Sequence, residues 1–366
     1  MIARVRSTAR HWTTALPVLA VALLALIWGR SLPFPLVLLV SYFLAGAVLA
    51  AVHHAEVIAH RVGEPFGSLV LAVAVTTIEV ALIVTLMVDG GDKSAALARD
   101  TVFAAVMITC NGIVGLCLLV GSLKRKVAVF NAEGTGAALA TVATVAGLSL
   151  VLPTFTTFTP GPQFSTPQLV FAALASLILY GMFVATQTVR HRDYFLPVTS
   201  SGEVIDAEEH ADPPSARAAL ISLGLLALAL IAVVGLAKAV SPTIESGVVA
   251  AGLPSSVVGI VIALLVLLPE TIAAVRAARR DRVQTSLNLG LGSAMASIGL
   301  TIPVVALATI WLPGPLLLGL GASHMVLLAL TVMVGTLTVI PGRATPLQGG
   351  VHLALLGAYI VLALSP

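Results

Sequence analysis

The chain has 366 residues, a mean hydropathy of +1.08, and only 10% charged residues against 58% hydrophobic ones. Soluble domains carry about 25% charge, so a soluble fold is excluded. The two cysteines, Cys110 and Cys117, are too few for a disulfide framework, and the net charge of +3 says little about partners in a chain that places Lys and Arg by topology.

Apolar blocks of roughly 17 to 25 residues fit helices that cross a bilayer core, and the alternating ten-residue segments of a membrane barrel do not occur. The expected fold is an all-α polytopic membrane protein with about 11 transmembrane helices. In chain order the spans fall near 13–30, 34–53, 67–88, 101–121, 135–153, 168–188, 217–237, 255–275, 284–311, 323–340 and 349–364. The basic start "MIARVRSTARHW" has no small-residue cleavage signal after the first span, so that span reads as retained. Pro303 marks a kink or break in the long ninth span.

With the N-terminus in the cytoplasm, Arg30, Lys93, Arg99 and Lys238 fall outside, and all the others of the 19 Lys and Arg fall inside. This asymmetry fits the positive-inside rule and puts the C-terminus outside the cell, in an inner (cytoplasmic) membrane. The long polar loop carries Glu203, Asp206, Glu208, Glu209 and Asp212 and reads as a solvated cytoplasmic linker. The expected organisation is an N-terminal helix (1–33), a five-helix repeat (34–189), the acidic linker (190–216) and a second five-helix repeat (217–366). An odd number of spans per repeat inverts the second repeat, and transporters so built bind their substrate near the midplane where the repeats meet.

Two acids stand inside this apolar frame. Glu79 lies in "AVTTIEVALIVTLM" and Glu270 in "LLVLLPETIAAV", each in the second span of its repeat. An intramembrane acid costs about 2.5 kcal/mol or more and marks a partner or a wet cavity. Two carboxylates brought together by an inverted repeat repel, which raises the pKa of at least one. They are comfortable protonated or clasping a cation such as calcium, which takes six to eight oxygens. Pro269 cannot donate to the helix ladder and frees a carbonyl. Thr76, Thr77, Asn111, Ser293 and Ser297 are the candidate supporting ligands or positioners, in competition with plain small-residue packing. Protons and metal competing for the same oxygens already constitute an antiport mechanism, since only loaded states cross a low-dielectric gate easily.

"GEPFGSLVLAVAVTTIEV" (63–80) and "LPETIAAVRAARRDRVQTSLNLGLGSAMASIGLTIP" (268–303) resemble the calcium/proton exchangers, the bacterial ChaA-type branch of the calcium/cation antiporter superfamily. The resemblance implies eleven helices, inverted repeats with one signature acid each, and proton-driven export of calcium, in some members also of sodium or potassium. It matches Glu79 and Glu270 to the signature acids, Glu64 to the acid opening the first motif, and Asn111 to the asparagine of the following helix. Where the wider family has Gly-Asn before each acid, this chain has Val75-Thr76 and Val266-Leu267, and Ala296 stands near a family glutamine. Fewer side-chain oxygens imply a looser site that accepts sodium or potassium.

"HHAEVIAHR" offers His53, His54, Glu56 and His60 without zinc-protease spacing. It reads as a solvated helix; an intramembrane metal-dependent enzyme and a passive cation channel are the alternatives to antiport. No cofactor is implied: the expected partners are transported calcium, protons, sodium or potassium, and membrane lipid.

Overall fold

The computed structural model describes residues 2–30, 32–63, 66–90, 95–198, 213–254, 256–312 and 314–365. The helices are α1 (Ile2–Ile27), α2 (Phe34–Val62), α3 (Phe66–Gly90), α4 (Leu97–Met107), α5 (Val114–Arg125), α6 (Ala132–Ala146), α7 (Thr166–Ala185), α8 (Ala216–Ala250), α9 (Ser256–Arg279), α10 (Val283–Ala308), α11 (Ala322–Val339) and α12 (Pro346–Leu364). A π-helical turn, Ile108–Ile113, joins α4 and α5 into a single rod. Among the described residues eleven rods follow, the number the sequence implies. Among the described residues nine helices are long and apolar enough to cross a membrane, and shorter apolar stretches, Trp12–Ile27 and Val73–Val88, lie within α1 and α3.

Local signals set the boundaries. Asn131 caps α6, its Oδ1 accepting from the amides of Glu133 (2.9 Å) and Gly134 (3.3 Å). Ser165 with Gln168 and Thr345 with Gln348 form capping boxes at α7 and α12, and Pro167 and Pro346 occupy first-turn positions where no N–H is needed. The expected break at Pro303 does not occur: α10 continues through it to Ala308. Within α9, Pro269 is likewise accommodated. The irregular turns fall elsewhere, at Ile108–Ile113 and Gly147–Val151. Helix α8 is 35 residues long, well beyond its expected span.

The chain divides into two compact units. One contains α1, α2, most of α3 and α8; the other contains α4 to α7, most of α9, and α10 to α12. In the first unit Gly46 of α2 and Gly235 of α8 give way to Leu16 and Leu24 of α1, the missing side chains leaving room for the leucines. In the second, Gly299 of α10 lies under the Tyr180 ring of α7, and a two-residue antiparallel pairing joins Ala128–Val129 to Arg343–Ala344.

Candidate functional site

In the first unit, Glu79 is the fourteenth of the 25 residues of α3 and is 3% exposed. Thr76, one turn before it, is also buried, whereas Thr77 is exposed and donates to the Val73 carbonyl at 2.7 Å. Glu64 lies outside the described residues.

The second unit holds Glu270, half-buried in mid-α9 with its Oε2 screened from water. Helix α9 runs alongside the α4–α5 rod in the same direction. Gly259 lies against the backbone of Asp100 and Thr101, and further along, Ala274 and Ala278 pack with Ile113 and Cys117. Glu270 falls between these contacts and shares the i, i+4, i+8 stripe of Ala274 and Ala278, which brings it level with the π turn. From α10, Gly290 sits on Ile113, where a built Cβ would be 3.2 Å from Cγ2. Ser293 (half-buried) and Ser297 (1% exposed) continue along the same face of α10. Two helices of this unit, α9 and α10, thus pack on the Ile113 side of the rod, with Glu270, Ser293 and Ser297 on their facing stripes.

Asn111 points the other way, two residues from Ile113 and so on the opposite side of the rod. Its Nδ2 donates to Thr331 Oγ1 (2.9 Å) on α11, and its Oδ1 accepts from His352 Nδ1 (3.1 Å) on α12. The ring's Nε2 meets Thr338 Oγ1 at 3.2 Å. A cavity of about 20 Å³ borders this network, lined in part by Cys110, Thr331, Thr338 and His352. The α4–α5 rod has 89% of its most apolar stretch buried, more than any other membrane-length helix described. Of Asn111's two candidate roles, this geometry supports the positioner. Sequence reasoning passed over His352, although an ionisable residue inside the last apolar segment was itself a signal.

Among the described residues no three His, Cys, Asp or Glu side chains converge on one point. The solvated-helix expectation also needs correction at His54, which is 2% exposed because α2 runs on to Val62 and carries it against α1 and α8. His54 Nε2 bonds the Thr13 carbonyl at 2.9 Å and Nδ1 meets Ser222 Oγ at 3.3 Å. Glu56 and His60 are exposed, and His53 is half-buried.

A family model described as "Sodium/calcium exchanger protein" matches residues 32–189 and 221–365. The chain belongs to the sodium/calcium exchanger family. This exchanger is 47% identical over 362 residues to "Putative ionic transporter y4hA" of Sinorhizobium fredii (strain NBRC 101917 / NGR234), covering 97% of the chain and 96% of the relative. It is 36% identical over 358 residues to the "Sodium-potassium/proton antiporter ChaA" of Escherichia coli (strain K12), covering 96% of each. Its fold is similar to that of the solved H+/Ca2+ exchanger CAX, with a TM-score of 0.69 at 15% identity over 96% of this chain and 91% of that one. The exchanger is therefore a cation antiporter, a multi-pass membrane transporter and not an enzyme.

Proposed function

We propose that this antiporter is proton-coupled and exports calcium, with sodium or potassium as further cargo, by alternating access, and that Glu79 and Glu270 carry both cation and proton. The observation that carries the reading is one acid in the middle of an apolar helix in each five-helix repeat of an exchanger-family chain. Insertion of each acid costs about 2.5 to 3.5 kcal/mol, so each is expected to face a partner or a wet cavity.

The chemistry follows from charge. A pair of ionised carboxylates in low dielectric is costly, and either protons or a cation removes the repulsion. Loading one expels the other, and the unloaded site is the state least able to cross between access conformations. Thr76 and the hydroxyls of Ser293 and Ser297 supply neutral oxygens, with Glu64 as a further supporting ligand or positioning residue in this reading. A site with few side-chain oxygens suits monovalent ions as well as calcium. The name of the Escherichia coli relative favours sodium and potassium among the cargo, and that of the solved exchanger favours calcium. The N-terminus is assigned to the cytoplasm and the C-terminus to the exterior of an inner membrane, so that the proton gradient drives cations out of the cell.

The test is purified protein in vesicles, an imposed pH gradient, and initial rates for calcium, sodium and potassium. Cation movement that reverses with the gradient supports the proposal. Movement that ignores the gradient, or ionic current without proton counterflow, rejects it in favour of a channel.

A further inference from the structure

The α4–α5 rod is interrupted by a π turn at its centre, in the most buried helix of the second unit. A π turn widens the helix and takes carbonyls out of the α ladder, and such turns collect at functional sites. Something must hold that conformation in an apolar interior. Within the rod, Thr109 directs its hydroxyl at the Ala105 and Val106 carbonyls (2.7 and 3.1 Å); from outside it, Thr331 on α11 and His352 on α12 hold the Asn111 side chain.

The donors and acceptors in this network run in one direction. Thr331 gives its hydroxyl proton to the Leu327 carbonyl at 2.7 Å, so it receives the Asn111 Nδ2–H. The amide nitrogen being committed there, Asn111 Oδ1 faces His352 and needs a proton from it. His352 Nδ1 must carry that proton. Nε2 is then the acceptor for the Thr338 hydroxyl. Gly349, one turn before His352, has no side chain and so allows α12 to close on Gly115 and Leu119 of α5, which brings the ring to the turn.

We infer that His352 is a positioning residue of cation binding. As the neutral Nδ1–H tautomer it grips Asn111 and the π turn from behind and thereby sets the opposite face, where Ile113 meets the α9 stripe that carries Glu270. His352 touches no cation; it acts through Asn111. Without it the turn loses the partner of Asn111 Oδ1, and the rod is free to relax toward an α-helix, which rotates Ile113 relative to Ala274 and the level of Glu270.

The test pairs transport with spectroscopy on the full-length protein in vesicles. His352→Leu raises the half-saturating calcium or sodium concentration roughly tenfold or more, the effect of leaving one buried polar group unpaired. His352→Gln, which keeps a donor and an acceptor, returns most of the affinity. A purely structural role lowers the amount of active protein and leaves half-saturation unchanged; that result overturns the inference. Should His352→Leu not fold, Thr338→Val takes its place with the same expected direction. Nitrogen-15 spectra of histidine-labelled protein give a readout independent of flux: the resonance missing from His352→Gln belongs to a neutral Nδ1–H ring, and an Nε2–H or doubly protonated ring contradicts the assignment. The inference rests on Glu270 carrying the cation. Glu270→Gln measured alongside separates the two, since wild-type flux there removes the glutamate reading and leaves the tautomer result standing.

Discussion

Gly349 of α12 meets Gly115 of α5 backbone to backbone: a Cβ built on Gly349 would lie 2.8 Å from the Gly115 carbonyl oxygen and 2.7 Å from the Leu119 amide nitrogen. Backbone atoms cannot swing aside as a side-chain tip can. Gly349→Ala therefore forces the helices apart and lowers stability by about 1 to 3 kcal/mol. Gly350 has open space around it, so Gly350→Ala gains up to about 1 kcal/mol of helix propensity. Thermal unfolding of both variants in detergent checks the pair, and equal melting temperatures would count against this packing.

Lys126 and Asp281 adopt positive φ, 65° and 61°, where α5 and α9 end, and Asp281 Oδ2 accepts from Arg125 Nη2 at 3.2 Å. Left-handed backbone costs a side-chain-bearing residue roughly 1 to 2 kcal/mol, and an ion pair this exposed returns at most about 1 kcal/mol. Lys126→Gly is expected to stabilise the protein by about 1 kcal/mol, whereas Arg125→Gln changes little. Unfolding midpoints of the two variants decide the matter.

His54 ties α1 and α8 to α2, and its neighbours in sequence do not share the task. His54→Leu leaves the Thr13 carbonyl without this donor and lowers stability by about 1 to 3 kcal/mol. His60→Ala, at an exposed position, has no measurable effect on either stability or transport. Zinc chelation leaves transport unaltered. A shared loss in both variants, reversed by zinc, would restore the metal-centre reading.

The gross fold was legible because hydropathy carries it: eleven apolar blocks match eleven rods among the described residues. Burial of Glu79 and its place in mid-helix followed from the same pattern. Of the kink or break expected at Pro303 the break does not occur, since Pro303 sits inside an unbroken α10, and proline is tolerated in membrane helices where the freed backbone groups are re-satisfied. The π turn at Ile108–Ile113 has no proline; the Asn111 side chain within it is held by partners more than 200 residues away, which no local pattern displays. Asn111 was singled out from the sequence, but the direction of its side chain depends on Thr331 and His352. The fate of His54 turned on three extra turns of α2 and on Thr13 and Ser222, contacts that periodicity cannot assign.

The most direct test of the account is proton-driven calcium and sodium uptake into vesicles holding wild-type protein, Glu79→Gln or Glu270→Gln, at matched amounts of folded protein. The account predicts gradient-dependent uptake in the wild type that competes with protons, and loss of it in both variants while each remains monodisperse. Wild-type rates in both glutamine variants would contradict it.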